Sequence, residues 1–207
     1  MRMRALWFFG VGMVVVILTF AAANHGQVGL AQQAAKIRWD IQTYTTFSPP
    51  TFKEGGVLFS SATDGTFFKL TGSGTFGPGE SDPVTGGGTW ETFTVSRVSM
   101  AKGTYTVTGL VSWQETPGIA LPAMFVDQIG PNATARSGLA VLRVAYKNAD
   151  GSPAGTGILI VSCHLPGAPD SIFEGVVVVK GTTTYYDRAL TMPGVDANRT
   201  IFHRLPS

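Results

Sequence analysis

Two pairs of ionisable side chains and one aromatic-hydroxyl row are the candidates for function in this chain. His164 and Glu174 lie ten residues apart across a turn-rich stretch. An antiparallel pairing that set 164 opposite 174 would orient the imidazole by the carboxylate, the arrangement of a general base. A one-residue slip in register would separate them, and Ser162 lacks the nucleophile-elbow sequence that would make it a partner. Glu115 and Asp127 share a connection at 114–137 broken by Pro117, Pro122 and Pro131. Two carboxylates of this kind can cleave a glycosidic bond, and their separation would set the mechanism. The plainer readings are a hydrogen-bonded surface histidine and solvated acids, and these are favoured over catalysis.

The third candidate is a surface. If Phe93 and Val95 face the core, strand alternation turns Trp90, Thr92 and Thr94 outward. If Tyr105, Val107 and Val111 face in, Thr104, Thr106 and Thr108 face out as well. Paired, the two strands would show a threonine-rich face with an indole at one end. Indoles stack on sugar rings and hydroxyls bond their edges. Threonine is also simply a good residue for a solvated strand face.

Other chemistry is poorly supplied. No cofactor motif is present: the glycine-rich 72–88 stretch lacks the Gly-Lys-Ser/Thr and the following helix of a phosphate cradle. His164, His203 and Cys163 cannot by themselves complete a zinc site. Glu80 and Asp82 lack the spacing of a calcium loop, so no metal is expected. Cys163, the single cysteine, excludes an internal disulfide and reads as a buried, inert thiol. Asn132-Ala133-Thr134 and Asn198-Arg199-Thr200 are glycosylation sequons, relevant in a eukaryotic host.

The first residues address the chain. Met-Arg-Met-Arg precedes an uncharged apolar run from Ala5 to Ala23, and small-x-small cleavage signals follow at 21–23 and 29–31. This is the pattern of a secretory signal peptide. Residues 1–31 are expected to be leader and tether, and 32–207 a single exported domain. An uncleaved leader would be its only membrane anchor. Without Arg2 and Arg4, 13 basic residues face 13 acidic ones. That formal net charge of zero argues against a nucleic-acid partner.

Strands must position these residues, because no amphipathic helix is evident in the mature chain. The organising stretch is Leu139–Leu165. Ala140, Leu142, Val144 and Tyr146 alternate, Asn148 to Pro153 favours a turn, and Ile158 to Leu165 is apolar and β-branched. Further strands are expected at 37–42, 56–62, 66–71, 89–95, 103–113, 124–129, 172–180, 182–187 and 201–202, with 72–88 a loop or an irregular strand pair. Short strands at this spacing predict an all-β, single-domain antiparallel β-sandwich or, alternatively, a closed β-barrel.

The glycine-threonine-aromatic segments at 72–76, 86–90 and 103–113, with Val-Ser-Cys-His-Leu-Pro at 161–166, resemble exported bacterial β-rich proteins over most of the mature chain. The resemblance implies bacterial export and a β-rich domain, and it brings no activity and no site. The expected function is therefore non-catalytic: a binding or structural domain for a glycan or other extracellular polymer. The alternatives are a secreted hydrolase or isomerase using the pairs above, and a lipocalin-like barrel holding a small apolar molecule.

Overall fold

The alternating row Ile37, Trp39, Ile41 is the inward face of β1 (Ile37–Thr45). The structure is a computed structural model that describes residues 35–206 apart from 46–47, 78, 80, 119, 190–191, 193 and 196–197. The leader and tether at 1–31 lie outside the described residues.

On one edge of β1 runs β13 (Arg199–Arg204), with Trp39 opposite Phe202. On the other edge lies β5 (Ser73–Phe76), with Trp39 opposite Gly74. The sheet continues through β6 (Val84–Phe93), β7 (Ser99–Thr116) and β9 (Ala135–Asn148). β9 then meets β13 again, with Arg136 opposite Phe202. These six antiparallel strands close a ring. Of the two all-β architectures expected, the chain adopts the closed barrel, extended by further strands.

Closure depends on two local features. β9 shares one edge between two partners: β10 (Pro153–Cys163) takes Gly138 to Lys147, and β13 takes Ala135 and Arg136 beyond it. Glycine lets β5 and β6 press together, since a Cβ on Gly74 would lie 2.2 Å from the Thr85 carbonyl oxygen. The stretch expected as a loop or irregular strands is thus β5 and the start of β6.

The central hairpin forms as expected. Its turn has Gly151 at φ +84°, and Asn148 N–H donates to Ser152 O at 2.8 Å. β11 (Gly175–Lys180) and β12 (Thr183–Tyr185) extend the sheet beyond β10. The hairpin β3 (Leu58–Ser61) and β4 (Phe67–Leu70) extends it beyond β6. β2 (Thr51–Glu54) pairs with the far end of β1 and carries the short parallel β8 (Val126–Asp127). Among the described residues the only helix is a 3-10 turn at Asn132–Thr134.

Side chains fill the interior. Trp113 lies 4.7 Å from Phe202 and 5.3 Å from Phe76 between ring centroids. Phe68, Trp90, Tyr146 and Tyr185 form a second group of rings. Small barrels are normally packed in this way, and the rings occupy space that an apolar ligand in the barrel would need. Cys163 is a free thiol, 1% exposed, on the inward row of β10. Burial pushes its pKa well above the usual value.

Candidate functional site

The indole of Trp90 points inward. Trp90 is 2% exposed and Thr92 7%, which corrects the outward orientation expected for both. The reason lies in Phe93. It does pack, but on the opposite face of β6, in a small outer cluster with Phe59, Phe67 and Met192. With Phe93 outside, alternation carries Trp90 and Thr92 inside, beside Leu70 and Phe68 of β4. The Trp90 N–H donates to the carbonyls of Thr104 and Lys147, both at 3.0 Å. Lys180 lies 4.7 Å from its ring. Val95 is 62% exposed at the β6–β7 turn, and the Thr94 hydroxyl accepts from Val98 N–H within that turn.

β7 follows its expected alternation here: Tyr105 and Val107 are buried while Thr104, Thr106 and Thr108 are exposed. Their outward neighbours come from the residues flanking Trp90. Thr104 is opposite Thr89, and Lys102 is opposite Glu91. Glu91 is in turn opposite Lys69 of β4, 3.7 Å from its ammonium. The Thr89 hydroxyl lies 2.8 Å from that of Thr71, which also accepts from Thr89 N–H. Two cross-strand rungs result: Lys69–Glu91–Lys102, and beside it Thr71–Thr89–Thr104.

Between them runs an open groove of about 380 Å³. Gly103 contributes to its floor and cannot carry a side chain, since a Cβ there would lie 1.9 Å from Lys147 O. Sequence parity found Thr104, Thr106 and Thr108. It missed Lys69, Thr71, Thr89, Glu91 and Lys102, which only the β4–β6–β7 register brings together.

His164 and Glu174 are brought together, but not through the ring. Pairing of β10 with β11 ends at Ser162 opposite Gly175. Glu174 Oε2 accepts from the main-chain N–H of His164 at 2.8 Å, and Oε1 from Thr200 N–H at 2.7 Å. The imidazole Nδ1 donates to Ile172 O at 2.6 Å. The carboxylate therefore ties the β10–β11 connection to β13. Burial pushes its pKa up to about 7, against the opposing pull of the Thr200 and His164 amides.

Glu115 and Asp127 are held by different partners. Glu115 takes Arg204 Nη2 at 2.9 and 2.8 Å and Arg136 Nε at 3.3 Å. Asp127 Oδ1 accepts from the amides of Ile129 and Gly130, and Oδ2 lies 3.1 Å from His203 Nε2. The Thr134 hydroxyl donates to Pro131 O at 2.8 Å and lies 2.9 Å from His203 Nδ1. The Asp127 and His203 side chains are 0% and 2% exposed, so this chain of contacts fastens the 122–134 segment to β13. The sequon asparagines also have structural bonds: Asn132 Nδ2 donates to Pro122 O, and Asn198 Nδ2 to Arg188 O.

For the calcium reading, Glu80 lies outside the described residues, and Asp82 Oδ2 accepts from Gly79 N–H. Among the described residues no three histidine, cysteine or acidic side chains gather as a metal site would require.

Compared with family models, curated proteins and solved structures, the chain matches none of them.

Proposed function

We propose that this chain is an exported, non-catalytic binding domain that holds a glycan polymer in the groove across β4, β6 and β7. One observation carries the reading: the hydroxyl rung Thr71–Thr89–Thr104 and the charged rung Lys69–Glu91–Lys102 border one open groove. A sugar ring has an apolar C–H face and a rim of hydroxyls. The groove offers a backbone floor at Leu70, Trp90 and Gly103, flanked by the stems of Lys69 and Lys102, for the first, and hydroxyl, ammonium and carboxylate partners for the second. Its openness suits a chain that passes through rather than a small molecule that is enclosed.

The indole, buried and pointing inward, is no stacking platform. Affinity then comes from the hydroxyls and from repeated engagement along the polymer. Export rests on the Arg2, Arg4 and 5–23 leader pattern.

The test is a pull-down with insoluble polysaccharides and titration with soluble ones, using the wild-type chain and Thr71→Val, Thr89→Val and Thr104→Val variants. Loss of retention in the variants, with the fold intact, supports the reading. Equal retention of wild type and the triple variant sinks it.

A further inference from the structure

The inward rows of three barrel strands do not stop where the packed rings stop. On β7 the row Trp113 is followed by Glu115; on β13 Phe202 is followed by Arg204; on β9 Ala140 and Gly138 lead back to Arg136. Past the rings, the same faces that build the core present two guanidiniums and one carboxylate at the mouth of the barrel. Glu115 lies between the arginines, accepting from Arg204 on both oxygens and forming an ion pair with Arg136 Nε at 3.3 Å.

These three line a cleft of about 500 Å³ with Thr116, Ser137 and Pro117. Thr116 and Ser137 stand one residue along from Glu115 and Arg136, so alternation turns their side chains to the other face of β7 and β9. There the Thr116 hydroxyl is buried and has no hydrogen-bond partner among the described residues. A buried hydroxyl without a partner is costly unless something supplies one. Ser137 Oγ, opposite Thr116, accepts from Leu165 N–H and keeps its own hydrogen to donate.

We propose that this cleft is a binding site for a ligand carboxylate, and that Glu115 is its internal stand-in. Arginine N–H groups suit a carboxylate: Arg204 Nη2 reaches both Glu115 oxygens, and Arg136 Nε lies 3.3 Å from one of them. The cleft carries one net positive charge while Glu115 occupies it and two when Glu115 swings out. An incoming carboxylate takes the arginines in its place. Arg136 is fixed for this by bonds from Nη1 to Ala133 O and Ala135 O. The site is separate from the threonine groove and does not rest on the reading of that groove.

The test is calorimetric titration of the full chain with glucuronate, inorganic phosphate and polygalacturonate. Glu115→Ala removes the competitor and is expected to tighten glucuronate binding by up to about fivefold, the upper figure for one partly exposed ion pair. Adding Arg204→Gln to that variant is expected to return the affinity to the wild-type level or below. Tightening for glucuronate would place the carboxylate on a small acid. Tightening for polygalacturonate alone would place it on a polymer, with the same site serving. Unchanged or weaker binding of both in Glu115→Ala overturns the proposal. Tighter binding of phosphate than of either carboxylate in that variant overturns it too.

Discussion

Glu174 should make the stability of this barrel fall as pH rises through the acidic range. Its pKa is about 7 in the folded chain and 4.5 for an unperturbed glutamate. Between these values the unfolded chain has lost a proton that the folded chain keeps, so stability is highest below pH 4.5 and declines up to pH 7. Each unit of difference corresponds to about 1.4 kcal/mol, which sets a ceiling of about 3 kcal/mol. The residue as a whole is partly exposed, so the realised loss is expected between about 1 and 3 kcal/mol.

Glu174→Gln removes the ionisation and also turns an N–H of its own toward one of the two main-chain amides that the carboxylate accepts from. That mismatch costs about 1–3 kcal/mol at the acidic end. Urea unfolding of both proteins at intervals from pH 4.5 to 7.5 gives the difference curve, which cancels every other titrating group. The gap between wild type and variant should narrow steadily as pH rises. Parallel curves would refute the placement of this carboxyl as a buried clamp.

Two further outcomes follow from buried side chains. His203→Leu removes the imidazole beside the wholly buried Asp127 side chain, which keeps the Ile129 and Gly130 amides, and should cost about 1–3 kcal/mol in urea unfolding. The Asp127→Leu/His203→Leu double variant should cost less than the sum of the single changes, and additive losses would argue against a coupled clamp. Cys163, 1% exposed with its thiol pKa raised by burial, should resist a thiol reagent in the native chain and react at once in concentrated guanidinium; fast native labelling would contradict the inward placement.

Strand identity was readable wherever a strand keeps one apolar row. Ile37, Trp39 and Ile41 on β1 and Ala140, Leu142 and Val144 on β9 bury the residues that alternation assigns to the core. Ring closure was not readable, because interior and exterior alternate alike in a barrel and a sandwich. What decides it is the shared edge of β9, a pairing between residues far apart in sequence.

The candidate site was half readable for the same reason. β7 keeps one core side as far as Val107, so Thr104, Thr106 and Thr108 fall where parity puts them; register shifts beyond it bury Leu110 in place of the expected Val111. β6 buries both Trp90 inside and Phe93 outside, so alternation alone cannot say which row is the core. The charged pairs show a further limit. Glu115 and Asp127 are close in sequence, yet their partners, Arg204 and His203, come from the last strand, and no local pattern anticipates that.

The central claim is that the hydroxyl rung across β4, β6 and β7 holds a glycan. The most direct measurement is the ratio of dissociation constants of wild type and the Thr71→Val/Thr89→Val/Thr104→Val chain for a polysaccharide retained in the pull-down. Valine keeps the shape and strand preference of threonine but also removes the Thr71–Thr89 hydroxyl pair and the acceptor of Thr89 N–H, so the melting temperature should fall somewhat and affinities are compared where both chains are fully folded. At about 1 kcal/mol for each hydrogen bond lost, the triple variant should bind roughly a hundredfold more weakly. Equal affinities of the two folded chains would show that the glycan is held elsewhere on the chain.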